Sequence, residues 1–214
     1  VDGDAGSGRS LASLQHEAPA LPADYASLLA FLCLFPVMPV LLAFVIRQQQ
    51  VDEIRLLERA TRDPLTGLLN RAAFEQAVAM DINDPAAPPM ALVYLDLDNV
   101  ALINDTSGHA AGDDVIRGVG GLLEGWRQPG DQVAHVSGDE FIVLLRNCSA
   151  MVAEDRIRSL LADIERSRTR WEDRFLSTTA SAGLVPFLPG QARFGELLSQ
   201  ADAACMSAKE LGGN

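Results

Sequence analysis

Ser137-Gly138-Asp139-Glu140 is a short acidic turn held between two apolar runs, the whole reading HVSGDEFIVLL from His135 to Leu145. The pattern predicts a β-hairpin with two carboxylates at its tip and, at Gly138, no side chain to keep a ligand away. Upstream, Met90 to Asn99 (MALVYLDLDN) is a second apolar strand that ends in Asp96 and Asp98. Two adjacent strands ending in acids can build a Mg²⁺ site for a nucleoside triphosphate. Mg²⁺ takes hard oxygen ligands, keeps several waters, and is commonly held by one or two carboxylates plus substrate phosphates.

The elements that must position these acids are legible as alternating strands and helices. Asp63-Pro64 is a turn signal that opens a domain over residues 63–214. Arg71 to Met80 has helical spacing, Asp84 to Pro89 is a Pro/Ala loop, and Met90 to Leu95 is a strand. Ala110 to Arg127 carries Val115, Val119, Leu122, Leu123 and Trp126 at helical intervals. Two strands flank the acidic turn, Met151 to Arg168 reads as a helix, Ser177 to Phe187 as one or two strands, and Phe194 to Leu211 as a closing helix. Strands and helices interleave in the order βαββαβ with added helices, so the expected class is α/β (α+β), a single domain.

The chain has 214 residues and a formal net charge of −12. Such an acidic balance argues against a nucleic-acid binder, which normally carries a basic stripe. Cys33, Cys148 and Cys205 are far apart and form no CxxC or Cys/His cluster, against both a disulfide framework and a zinc site. Residues 1–24 are rich in Gly, Ala, Ser and Pro and read as an extracytoplasmic tail. Tyr25 to Ile46 carries no charge, and a run of about 20 apolar residues suffices for a transmembrane helix. Before it the only basic residue is Arg9; after it come Arg47, Arg55, Arg59 and Arg62. The positive-inside rule therefore puts the C-terminal side in the cytoplasm. Residues 47–62 read as a helical connector that pairs with its copy in a dimer. A first residue of Val1 rather than Met leads us to expect a fragment of a longer chain.

Four blocks now fall in order: DPLTGLLNR (Asp63–Arg71), DLDNVALINDTSGHAAGDDV (Asp96–Val115), SGDEF (Ser137–Phe141) and ADAACMSAKELGGN (Ala201–Asn214). Together they resemble the signature blocks of GGDEF domains, the bacterial diguanylate cyclases, with a variant SGDEF signature. The resemblance implies a βααββαβ domain with a central, mostly antiparallel sheet, a homodimer, and a bacterial inner-membrane protein whose catalytic domain is cytoplasmic. It implies condensation of two GTP into cyclic di-GMP by attack of each 3′-hydroxyl on the other's α-phosphate, with Mg²⁺ or Mn²⁺ as cofactor. Carried over by position, Asp96, the Leu97 carbonyl and Asp139 would hold the metal, with Asp139 near the attacking hydroxyl and Glu140 supporting it. Asn104 and Asp113 would read guanine, Gly138 would let the backbone approach the α-phosphate, and Lys209 would meet the distal phosphates. A carboxylate accepting from guanine would be left unpaired opposite adenine, which makes Asp113 selective. Asp98 and Asp105 read as turn or cap residues, His109 as a structural polar residue, Asp114 as solvated, and Asp63, Asn70 and Arg71 as a hydrogen-bond network at the start of the first helix.

The chain departs from the family at several places. Ser137 stands where glycine is usual, a small effect unless φ is positive there. Val100 and Ala101 replace an aromatic and a lysine, Gly213 replaces an arginine, and His135 stands where arginine is common. The cationic cradle for the triphosphate is thereby reduced to Lys209. At about 1.5–3 kcal/mol per charged hydrogen bond, the two losses would weaken GTP binding by about two to four orders of magnitude. The RxxD register of the family's product-inhibition site reads Gln128-Pro129-Gly130-Asp131, with Arg127 one place away, which predicts weak or no feedback. Two readings therefore compete: an active cyclase, or a silent module that binds GTP or dimerises to regulate a partner or a downstream EAL domain. A different palm-like nucleotidyl cyclase is disfavoured by the guanine-reading pair.

Overall fold

The computed structural model describes residues 38–49, 60–191 and 193–213. The chain divides into two units, Val1–Ile54 and Arg55–Asn214. In the first, residues 38–49 are helical, and Met38, Val40, Leu41, Leu42, Phe44, Val45 and Ile46 are all exposed. The tail over 1–24, the part of the expected span over 25–37 and most of the connector lie outside the described residues. Among the described residues no helix is long and apolar enough to cross a membrane.

The second unit runs β1 (Leu69–Asn70), α1 (Arg71–Asn83), β2 (Met90–Leu97), α2 (Val100–Ser107), α3 (His109–Trp126), β3 (Gln132–Ser137), β4 (Glu140–Leu145), α4 (Ala150–Arg166), β5 (Thr169–Trp171), β6 (Arg174–Leu176), β7 (Ala180–Phe187) and α5 (Phe194–Glu210). Five strands form one sheet in the order β1-β3-β4-β2-β7. Only the β1–β3 pairing is parallel; β3–β4, β4–β2 and β2–β7 are antiparallel. The sheet is therefore mixed and mostly antiparallel, and the order from β2 onward is the expected one with an added β5–β6 hairpin. That hairpin was not foreseen. Its strands have three residues each, and its turn lies in the charged run Arg166–Arg174, which hides any alternation.

β2 is apolar up to Leu95 because it is buried on both faces. Ala91, Val93, Leu95 and Leu97 face a core shared with α3 and α4, including Val119, Leu123, Ile157 and Leu160. Met90, Leu92 and Tyr94 face a second core with Phe74 and Val78 of α1 and Leu197, Ala201 and Cys205 of α5. Strand alternation continues this parity, so Asp96 falls on the α5 side. Local signals start the helices: Asn70 accepts from the Ala73 N–H at 2.9 Å at the head of α1, and Ser149 caps α4 through Val152 N–H. The backbone of α5 lies directly on β7, where a Cβ built at Gly183 would stand 1.9 Å from the Ala201 carbonyl oxygen.

Candidate functional site

The strand register assembles the acids. Asp96, at the end of β2, sits directly opposite Glu140 in the β2–β4 pairing, and the Asp139 carbonyl accepts the Leu97 N–H at 3.0 Å. The turn between β3 and β4 is made by Gly138 at φ +51°, a left-handed conformation that suits glycine. Ser137 is not among the described residues with positive φ, so its Cβ costs nothing there. Its hydroxyl donates to Glu140 Oε2 at 2.8 Å. Tyr94, two residues before Asp96 on the same face of β2, donates its phenol to the Glu140 carboxylate. Burial, then this bond, then the charges of Glu140, Asp202 and Asp96 hold the phenol proton well above the ordinary tyrosine range.

Lys209 of α5 reaches this cluster, its Nζ 2.5 Å from Asp96 Oδ1. Partial burial pushes the Asp96 carboxyl above its ordinary value, and the charges of Asp139 and Glu140 push the same way against the pull of Lys209. Burial by itself would lower Lys209; the bond to Asp96 and the charges of Asp96, Asp139 and Asp98 outweigh it and raise the ammonium. A concentration of negative charge that draws in a protein cation is a site short of positive charge. Among the described residues no group of three or more potential ligands is preformed. Few carboxylates on one side, with room left for phosphates and water, is the donor set that Mg²⁺ uses.

Beside Lys209 opens a cavity of about 330 Å³ lined by Asp98, Asn99, Thr179, Lys209, Gly212 and Gly213. Asp98 belongs to its wall: its carboxylate accepts from Thr179 Oγ1 at 2.7 Å and Ser181 Oγ at 3.0 Å, and its backbone bonds to Thr178 and Thr179. These bonds pin the end of β2 to β7. Lys209 is the cation among the lining residues. Ala101 is exposed on the first turn of α2, and Gly213 has φ +71°.

The guanine-reading candidates lie on α2 and α3. Asn104 is half-buried, and its Oδ1 is enclosed with no hydrogen-bond partner among the described residues. It lies against Gly112, where a built Cβ would come within 2.0 Å of that oxygen. The missing side chain at Gly112 is what lets the amide in. Asp113, the next residue, is exposed. An unpaired amide oxygen next to an exposed carboxylate suits a ligand edge that offers donors.

The remaining sequence candidates are placed elsewhere. Asp63 accepts from Leu65 N–H, Thr66 N–H and the Thr66 hydroxyl, closing the turn before β1. Arg71, Asp105 and His109 are exposed, and Asp114 pairs with Arg117. Asp131, the acid of the RxxD register, is buried, and its carboxylate is filled from inside. It accepts from Gln128 N–H at 2.9 Å, Arg146 N–H at 3.1 Å and the Arg156 guanidinium at 2.6 Å. Arg156 in turn lies over Trp126, 4.7 Å from the ring centroid. Arg127 is occupied by Glu124 at 2.6 Å. Sequence reasoning missed Tyr94, Thr179 and Ser181. The signal for the first was its parity with Asp96; for the others it was the hydroxyl-rich stretch from Ser177 to Ser181.

The chain matches the family described as "Diguanylate cyclase, GGDEF domain" over residues 60–214. It is 33% identical over 171 residues to "Probable diguanylate cyclase DgcE" of Escherichia coli K12, covering 77% of this chain and 16% of that one. It is 32% identical over 173 residues to "Cyclic di-GMP phosphodiesterase PdeB" of Shewanella oneidensis, covering 79% of this chain and 20% of the relative. It thus spans a fifth or less of these curated relatives' length. Among solved structures, the GGDEF domain of DgcB from Caulobacter crescentus in complex with c-di-GMP superposes with a TM-score of 0.66 at 27% identity, covering 72% of this chain and 93% of that one. With the sheet order, the SGDEF turn opposite Asp96 and the match over residues 60–214, the chain belongs to the diguanylate cyclase GGDEF-domain family.

Proposed function

We propose that this chain is a diguanylate cyclase subunit. Two GTP are joined: each 3′-oxygen bonds to the α-phosphorus of the other GTP as the bond from that phosphorus to pyrophosphate breaks. The observation that carries the reading is the convergence of Asp96, Asp139 and Glu140 beside the cavity that Lys209 lines. Mg²⁺ or Mn²⁺ held by Asp96, the Leu97 carbonyl and Asp139 together with the phosphates would neutralise the triphosphate and orient its α-phosphate. Lys209 exchanges Asp96 for the distal phosphates, and Gly138 gives the α-phosphate access to the backbone. Asn104 and Asp113 hold the guanine edge. Tyr94 and Ser137 keep Glu140 in place. One chain presents one GTP, so turnover requires a homodimer with the two sites facing. Incubation of the purified chain with GTP and Mg²⁺ or Mn²⁺ is expected to yield cyclic di-GMP and pyrophosphate, and Asp139→Ala is expected to yield none while melting like the parent. Equal product from both proteins would remove Asp139 from the mechanism.

A second reading has a specific observation in its favour. Ala101 and Gly213 leave the cavity with Lys209 alone, and Lys209 is already engaged by Asp96. A GGDEF module that binds GTP without turnover, and regulates a partner or an EAL domain elsewhere in a longer chain, fits that cradle. Retention of GTP with no product in the same assay would select it.

We also read residues 25–46 as a membrane anchor of the bacterial inner membrane, with the GGDEF domain in the cytoplasm. Its support is the exposed apolar surface from Met38 to Ile46, since a helix apolar all round needs lipid or protein cover. Expressed in cells, the chain should sediment with membranes and resist carbonate extraction. Recovery in the supernatant would count against the anchor.

A further inference from the structure

We propose that Lys209 competes with the divalent cation for Asp96, so that metal and triphosphate enter this site together and the metal alone binds it poorly. The inference rests on the metal site proposed above and adds an order of filling to it. Lys209 Nζ stands 2.5 Å from Asp96 Oδ1, an enclosed oxygen that accepts no hydrogen bond of ordinary geometry among the described residues. The contact is charge against charge, at an anionic atom whose bonding capacity is otherwise unused. A hard cation is the partner such an oxygen suits.

The neighbouring acids explain why the ammonium is drawn there. Glu140, opposite Asp96 on β4, accepts from the Ser137 hydroxyl and the Tyr94 phenol. Asp98 accepts from the Thr179 and Ser181 hydroxyls. Both carboxylates are held by neutral donors, which leave their charge in place, and Asp139 adds a third charge felt at Asp96. Lys209 is the cation among the residues lining the adjoining cavity. Its backbone is held because α5 is pressed onto β7 at Gly183, so the movement is confined to a flexible four-carbon stem. An ammonium and a dication on one partly buried carboxylate repel strongly. Lys209 must therefore leave Asp96 as the metal arrives. Asp98, the acid in the cavity wall, is already bonded by two hydroxyls and is a poor new partner. A triphosphate in the cavity supplies the missing anion, and Lys209 then exchanges one anion for another. Metal and triphosphate are thereby coupled through Lys209, and such coupling is reciprocal.

The test is Mn²⁺ binding to the chain without nucleotide, followed by loss of the free-ion electron paramagnetic resonance signal. Lys209→Met should bind Mn²⁺ about tenfold to a hundredfold more tightly than the parent, the range of one charge-assisted contact. Asp96→Asn combined with Lys209→Met should remove that gain. Saturating Mn²⁺ should raise the melting temperature of Lys209→Met by more than that of the parent. A GTP analogue with an uncleavable bridge between the α- and β-phosphates should tighten Mn²⁺ binding by a larger factor in the parent than in Lys209→Met. Lys209→Gln, which removes the charge but keeps a polar tip, should repeat the gain and guards against a misfolded methionine variant. Mn²⁺ binding that is equal or weaker in both variants overturns the inference while leaving the metal site standing, and so does a gain that survives Asp96→Asn. Mn²⁺ bound by none of these proteins, even with the analogue present, overturns the metal site and the inference with it.

Discussion

Asp131 has the residue type of a ligand contact and the surroundings of a structural one. Its carboxylate is 2% exposed and accepts two backbone N–H groups and a guanidinium that is itself held against Trp126. To bind product it would have to abandon buried donors, and a buried donor left unpaired costs about 1–3 kcal/mol. Added cyclic di-GMP should therefore leave the initial rate of GTP consumption unchanged, and Asp131→Ala should destabilise the fold by about 3–5 kcal/mol, as expected when one partner of a buried ion pair is removed. Dose-dependent inhibition that Asp131→Ala abolishes would show that the pocket opens. The same distinction governs what could be read at this scale. Asp96, Asp139, Asn104 and Asp113 could be named as candidates because the family resemblance carries them over motif by motif. The hydroxyls of Thr179 and Ser181 on Asp98 and the phenol of Tyr94 on Glu140 could not. Each joins residues on different strands or turns, and no local pattern encodes a partner that only the sheet register brings near.

At the scale of elements, the site depends on how closely α5 lies on β7, because α5 carries Lys209. Gly183 sets that distance: a built Cβ would be 1.9 Å from Ala201 O and 2.4 Å from Cys205 N, both backbone atoms that cannot rotate away. Gly183→Ala must push the helix outward. Overpacking of this kind costs about 1–3 kcal/mol, so the melting temperature should fall by several degrees. An unchanged melt would show that α5 shifts freely. The apolar run of β2 and the 3.6-residue spacing of α3 and α4 made those elements legible, since burial on two faces or on one stripe writes itself into composition. Gly183 was silent for the opposite reason. It is one small residue inside a strand, and its demand comes from a helix that begins eleven positions later, at Phe194. The two-residue β1 was silent too, being too short to show any period.

For the molecule as a whole the question is charge. On the proposed reading a chain of net charge −12 binds a polyanion, and the candidate cavity is lined by Lys209, the single lysine in the sequence, already paired with Asp96. Restoring cations at both departures from the family pattern would follow from sequence alone, yet the backbone separates them. Ala101 is helical and exposed in the first turn of α2, so a lysine there meets no conformational obstacle. Gly213 sits at φ +71°, where any L side chain costs about 1–2 kcal/mol. A Cβ there would stand 3.4 Å from Asp98 Oδ2, which already accepts from the Thr179 hydroxyl. Ala101→Lys alone should therefore lower the KM for GTP by about 10-fold or more, the effect of one charge-assisted hydrogen bond. Gly213→Arg alone should return less, because part of its gain offsets the strained φ. Michaelis curves for the two single variants decide it: an equal or larger gain from Gly213→Arg would mean that the C-terminal segment repacks around the new side chain, and no gain from Ala101→Lys would mean that the triphosphate does not pass α2.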